Sequence, residues 1–164
     1  MRIRIDVSMT FDGQRVAIGA KEASSDPGYA RVYELSAGTW VQLGQDIFGE
    51  APADESGCSV VINHVGSKIA IGARRNDAGS TETFSYDTGF GDKGHVRVYQ
   101  WETSTWVQRG EDIDGEAAGD LSGHTLAWDN LGTRLIVGAY KNNGADFLGD
   151  NVGHARVFQE NLVL

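Results

Sequence analysis

The chain has 164 residues, with 23 acidic against 14 basic side chains, a formal net charge of −9 and one cysteine. The acidic balance and the lack of a Lys/Arg stripe argue against a surface for nucleic acid or anionic lipid. All apolar runs are too short to span a membrane, and a single cysteine excludes an internal disulfide.

The first elements along the chain are predicted to be four short β-strands, called strands A to D. Each is rich in β-branched or aromatic residues and is bounded by Gly, Asp or Ser, as strands commonly are. No segment shows the 3.6-residue apolar period of an amphipathic helix. The predicted strands are A, Val7–Phe11; B, Arg15–Gly19; C, Ala30–Leu35; and D, Thr39–Leu43.

These elements return along the chain. The run Trp40–Glu50 recurs 66 residues later as Trp106–Glu116, with eight of eleven positions identical. Strand B recurs at Ile69–Ala73 and Leu135–Ala139, and strand C returns twice as Gly-His-x-Arg-Val. The chain therefore reads A-B-C-D twice and then A-B-C, in three units spanning 1–57, 58–123 and 124–164 of one structural domain.

Recurring four-stranded antiparallel units are typical of β-propeller blades. We therefore predict an all-β chain of about two and three-quarter blades, a partial or open propeller. A solenoid is disfavoured because its repeats are usually shorter, about 20–47 residues, and a β-sandwich does not require such self-similarity. Closed propellers have about four to eight blades, so we expect a fragment of a larger chain, an assembly of copies, or an open arc.

The order V-A-I-G-A, polar loop, G-H-V-R-V-Y, W-x-Q-x-G-x-D-I-x-G-E and D-x-S-G resembles the FG-GAP repeat over nearly the whole chain. That repeat builds the seven-bladed propeller of integrin α subunits and related surface proteins. The resemblance implies a propeller, an adhesion role and a cell-surface or extracellular location. Two features depart from the family: Lys21, Arg74 or Tyr140 follows Gly-Ala where the family has proline, and the A–B hairpin lacks a D-x-D-x-D-G calcium loop.

Most charged and aromatic residues recur from unit to unit and are interpreted as scaffold. The strand C arginines Arg31, Arg97 and Arg156 are expected to neutralise the recurring acids Asp46, Asp112, Glu50 and Glu116, because buried charges need partners. Trp40 and Trp106 are expected to cover the packing between blades, with the indole N–H on a carbonyl. His95 and His154 occupy matching positions. Cys58 stands where the next unit has His124 and is interpreted as a small residue at a strand start.

The loop between strands B and C absorbs the variation in unit length. It covers Lys21–Pro27, Arg74–Lys93 and Tyr140–Val152 in the three units, and variable loops on a repeated scaffold are where binding usually resides. The candidate ligand-binding residues are Phe84, Tyr86, Asp87, Phe90 and Asp92. No cofactor is expected except Ca²⁺, which oxygen-rich loops can hold; its candidate ligands are Asn76, Asp77, Asp146 and Asp150.

The sequence thus predicts a non-enzymatic binding or adhesion module that presents variable loops to a protein or glycan. The alternative is an assembly unit that completes a propeller with further blades or other copies, since open strand edges invite association. An enzyme is disfavoured because no pair of acids stands out at a fixed, non-repeated position. Neither nucleic acid nor membrane insertion is expected.

Overall fold

A computed structural model describes residues 4–21, 26–77, 91–143 and 152–159, and every regular element among them is a β-strand. The prediction of an all-β chain is therefore confirmed. No helix in these ranges is long and apolar enough to cross a membrane. The predictions at Phe84, Tyr86, Asp87 and Phe90, and those at Asp146 and Asp150, lie outside the described residues.

The strands form three antiparallel sheets in chain order, called sheets 1 to 3. Sheet 1 contains β1 (Arg4–Met9), β2 (Arg15–Lys21), β3 (Tyr29–Ser36), β4 (Thr39–Gln42) and β5 (Ile47–Phe48). Sheet 2 contains β6 (Ser56–Ile62), β7 (Lys68–Ala73), β8 (His95–Glu102), β9 (Thr105–Gln108) and β10 (Ile113–Asp114). Sheet 3 contains β11 (Ser122–Trp128), β12 (Arg134–Ala139) and β13 (His154–Gln159).

Strands A to D correspond to β1–β4, each paired with its neighbour in sequence. The two-residue strands β5 and β10 were not predicted. Each pairs with the start of the third strand of its sheet, as Ile47 does with Ala30. They escape sequence analysis because two residues cannot show a period of two.

The sheets pack face to face, and each sheet has a front face toward the next sheet and a back face toward the previous one. Sheet 2 is covered on both faces. Its back-face residues Ile69 and Ile71 join Val32 of sheet 1 in one apolar cluster. Its front-face residues Ala70 and Val96 join Leu135 and Val137 of sheet 3 in a second. Burial on both faces explains why β7 is almost continuously apolar.

Glycines allow the sheets to approach closely at one end. The first strands of sheets 2 and 3 each contain a register shift, with Gly57 and Gly123 at φ values of 80° and 81°. A Cβ at Gly19 would overlap the carbonyl oxygen of Gly57, and a Cβ at Gly72 would overlap that of Gly123. Only a residue without a side chain permits this backbone contact.

The two recurring tryptophans differ in environment. Trp106 is 3 % exposed and its Nε1 donates to the Leu43 carbonyl at 2.8 Å, as predicted. Trp40 is 42 % exposed, so its predicted role in covering the packing between sheets is wrong. The difference arises because Trp106 of sheet 2 reaches sheet 1, whereas no described sheet lies against the corresponding part of sheet 1.

Candidate functional site

Two polar clusters lie at the contacts between sheets, and the first, the junction cluster, consists of Glu50, Asp54, Asn76, His95, Arg97 and Asp112. Arg97 donates from Nε and Nη2 to Asp112 at 2.9 and 2.8 Å, and it also pairs with Glu50 of the preceding unit. Asn76 Nδ2 donates to Glu50 at 3.1 Å and to Asp54 at 3.0 Å. Both strand C arginines of sheets 1 and 2 thus hold a carboxylate, since Arg31 binds Asp46 in the same two-point geometry.

The junction cluster recurs between sheets 2 and 3. There Asn142 donates to Glu116 at 3.3 Å and to Asp120 at 2.8 Å, while His154 Nδ1 lies 3.0 Å from Glu116. Arg156 donates to the Asp114 carbonyl. A network that recurs with the repeat is expected of a scaffold, so the junction cluster holds neighbouring sheets together.

One group in the junction cluster has the composition of a metal site. Among the described residues, ligand atoms of Glu50, His95 and Asp112 lie within 4.8 Å of one another. The guanidinium of Arg97 already binds both carboxylates and supplies the positive charge there. Burial, followed by the neighbouring Arg97, lowers the pKa of His95, which favours the neutral imidazole. We therefore interpret this group as an ion-pair network.

The junction cluster yields a stability prediction with a matched control. Arg97→Ala is expected to lower the free energy of unfolding by about 2 kcal/mol, because it strands two partly buried carboxylates and removes their shared partner. Arg31→Ala, which affects only the more exposed Asp46 pair, is expected to cost below about 1 kcal/mol. Urea unfolding followed by tryptophan fluorescence measures both, and equal losses would contradict the assigned role of Arg97.

The second cluster, the strand-end cluster, contains Lys21, Glu55, Arg74 and Arg75. Three cations surround Glu55: Lys21 Nζ at 2.5 Å, Arg74 Nε at 2.7 Å and Arg75 Nε at 3.3 Å. Burial opposes ionisation of Glu55, but hydrogen bonds from Arg74 and Lys21 outweigh it and lower its pKa. Glu55 has φ of 56°, a left-handed conformation that is uncommon for a non-glycine residue.

Cys58, His124 and Tyr140 border the strand-end cluster. The Cys58 thiol donates to the Gly72 carbonyl at 3.4 Å, and burial raises its pKa, so the unreactive thiol form prevails. The rings of His124 and Tyr140 meet edge to face at 4.4 Å between centroids. The His124 Nδ1 atom is buried and has no hydrogen-bond partner among the described residues. Burial lowers the pKa of His124, as do the charges of Arg74 and Lys21.

The structure places three of the predicted site residues. Asp92 is buried; burial raises its pKa, and its carbonyl accepts from the backbone of Gly119 and Leu121. Asn76 belongs to the junction cluster, where its amide nitrogen is a donor to two carboxylates. Asp77 lies outside the group with metal-site composition. The ligand-binding and calcium assignments of these residues stay predictions.

Sequence analysis noted members of the strand-end cluster without recognising a site. Lys21, Arg74 and Tyr140 stand where the family motif has proline, and Cys58 replaces the His124 of the next unit. The stronger signal was Glu55, since the otherwise matching D-x-S-G motif has Leu121 at that position. A charged residue at a position where the repeat is otherwise apolar points to a local role.

Comparison with family models and with curated proteins finds no match to this chain. Solved structures with a similar fold include a Bacteroides uniformis protein described as a "putative 6-phosphogluconolactonase". The TM-score is 0.59 at 12 % sequence identity, and the match covers 98 % of this chain but 38 % of that protein. At this identity the likeness shows the fold alone, and the chain spans well under half of the matched protein.

This likeness contradicts the sequence-based prediction that the chain is not an enzyme. The prediction rested on the lack of a non-repeated pair of carboxylates, yet the same fold occurs in a protein described as an enzyme. It was wrong because one type of catalytic residue was taken to stand for all catalysis, whereas a fold can host many chemistries.

Proposed function

We propose that the chain is a segment of a β-propeller with FG-GAP-type units, and that it acts as an assembly unit. Its two outer sheet faces dock further sheets of the same repeat, which a second copy of the chain can supply. The observation that carries this proposal is the pair of uncovered apolar faces at opposite ends of the described stack. Each consists of residue positions that are buried in the sheets that have a neighbour.

The front face of sheet 3 is apolar and uncovered. Ile136 and Val157 are exposed there, Val157 by 63 %. In the strand register they occupy the positions of Ala70 and Val98 in sheet 2, which pack against sheet 3. The same face of sheet 1 is covered by sheet 2 through Val32.

The back face of sheet 1 completes the pattern. Val7 and Met9 are exposed, Met9 by 55 %, although they occupy the positions of the buried Val60 and Ile62 in sheet 2. The front of sheet 3 and the back of sheet 1 therefore have the same registers as the two faces that meet between sheets. Their pairing would be head to tail, a heterologous contact that forms either a ring or an open array.

The proposal predicts a concentration-dependent mass above that of the monomer. Val157→Glu and Met9→Glu are each expected to weaken self-association at least tenfold, about 1.4 kcal/mol, by burying an unpaired charge in the contact. Mixing the two variants is expected to restore dimers only, because each retains the face that the other has lost. Sedimentation velocity measures all three samples.

Val65→Glu is the matched control, since Val65 is an exposed valine in a turn away from both faces. It is expected to leave self-association unchanged. A wild-type chain that stays monomeric at high concentration would refute assembly between copies. Loss of association in either single variant without dimers in the mixture would refute head-to-tail pairing.

A second proposed function is the binding of a ligand, protein or glycan at the sheet end where the variable loops begin. The strand-end cluster favours it, because Arg74 opens the longest of these loops and gathers with Lys21 at a charged, non-repeated site. The name of the similar Bacteroides protein specifies a phosphorylated substrate for that protein. A cation-lined site is compatible with ligands of that charge.

A further inference from the structure

The strand-end cluster contains more positive charge than its internal carboxylate can balance. Lys21, Arg74 and Arg75 all lie within ion-pair distance of Glu55, whereas one carboxylate balances one cation. The other acid close to this group, Asp92, is buried near Arg75 and Lys141. This arrangement belongs to a single chain and is independent of the proposed assembly, although it deepens the second proposed function.

Arg74 retains capacity to bind another group. Among the described residues its only hydrogen bond is from Nε to Glu55, which leaves the Nη edge of the guanidinium available. A guanidinium anchored through Nε presents two parallel N–H donors that match a carboxylate or phosphate. Glu55 thereby fixes the orientation of this side chain.

The rings of His124 and Tyr140 border the same place. Arg74 acts electrostatically on both, which places its charge beside them. Tyr140 is 45 % exposed, so the site is accessible from solvent on that side. The buried His124 Nδ1 has no hydrogen-bond partner among the described residues, an unmet capacity that a bound ligand or water could satisfy.

We propose that Arg74 and Lys21, oriented by Glu55 and bordered by His124 and Tyr140, bind the carboxylate or phosphate group of a small anionic ligand. The surplus of cations provides the attraction, and the guanidinium edge provides the directional hydrogen bonds. Neither group recurs in the third unit, where Tyr140 and Leu121 replace Arg74 and Glu55. The site is therefore specific to the contact around sheets 1 and 2.

The test uses inorganic phosphate and acetate as separate probes, with binding followed through the His124 ring proton by NMR. The charged groups acting on this imidazole include Arg74, Lys21 and Glu55. A bound anion is expected to raise the pKa of His124, since it offsets the two cations. Whichever probe raises it at the lower concentration identifies the preferred group. If neither probe changes the His124 titration, the proposal is overturned.

Three variants separate a built site from general charge attraction. Arg74→Met, which keeps the apolar stem, is expected to weaken binding at least tenfold, and Arg134→Met, an exposed arginine of sheet 3, is expected to have no effect. Glu55→Gln is expected to strengthen binding several-fold, because it frees the cations from their internal competitor. Circular dichroism verifies that each variant is folded. Equal weakening by Arg74→Met and Arg134→Met would overturn the proposal, whatever the result of the assembly experiment.

Discussion

Replacing Trp106 with alanine is expected to lower the free energy of unfolding by about 3–5 kcal/mol. The side chain is almost fully buried in the cluster between sheets 1 and 2. It also donates a hydrogen bond to the Leu43 carbonyl and meets the Trp101 ring at 5.2 Å between centroids. The substitution therefore leaves a cavity and removes the partner of a backbone acceptor in sheet 1.

Trp40→Ala provides the matched control, because Trp40 lies in the same Trp-Val-Gln sequence at the same place in its sheet. Its ring is 42 % exposed, so its loss is expected to cost about 1 kcal/mol or less. Chemical denaturation followed by circular dichroism measures both variants without depending on the tryptophan signal. Comparable losses in the two would contradict the assigned packing of sheet 2 against sheet 1.

Gly72→Ala is expected to destabilise the chain by about 3 kcal/mol or more, since overpacking is costly where the backbone cannot move aside. The added Cβ would overlap the carbonyl oxygen of Gly123 in sheet 3 and the hydroxyl of Ser59. Relief requires sheet 3 to move away from sheet 2, which would loosen the apolar cluster formed around Leu135 and Val137.

Gly138→Ala is the control for this position, since Gly138 occupies the place of Gly72 in sheet 3. The nearest atom to its Cβ is the side-chain hydroxyl of Thr125 in the same sheet, which can rotate. The expected loss is about 1 kcal/mol. Thermal and urea unfolding of the two variants decide between these outcomes. An equally large loss at Gly138 would show that the effect arises within one sheet and not from the contact between sheets.

The strand-end cluster shows why the candidate site was harder to derive than the fold. Lys21 and Glu55 are 34 residues apart and come from different units. Alignment of the units revealed each as an irregularity, but alignment compares equivalent positions and gives no distance between unlike ones. The ion pairs among Lys21, Glu55 and Arg74 emerge only when two sheets stack with their strand ends together.

The sequence by itself determined the all-β class, the order of the main strands and the arginine–carboxylate pairing in sheets 1 and 2. Alternation and recurrence suffice for these features because strand register and pairs such as Arg31–Asp46 are separated by few residues. Only the tertiary structure decided which copy of a repeated residue is buried. Trp40 and Trp106 share their local sequence, yet burial depends on whether another sheet lies against the side chain, and local sequence does not contain that information.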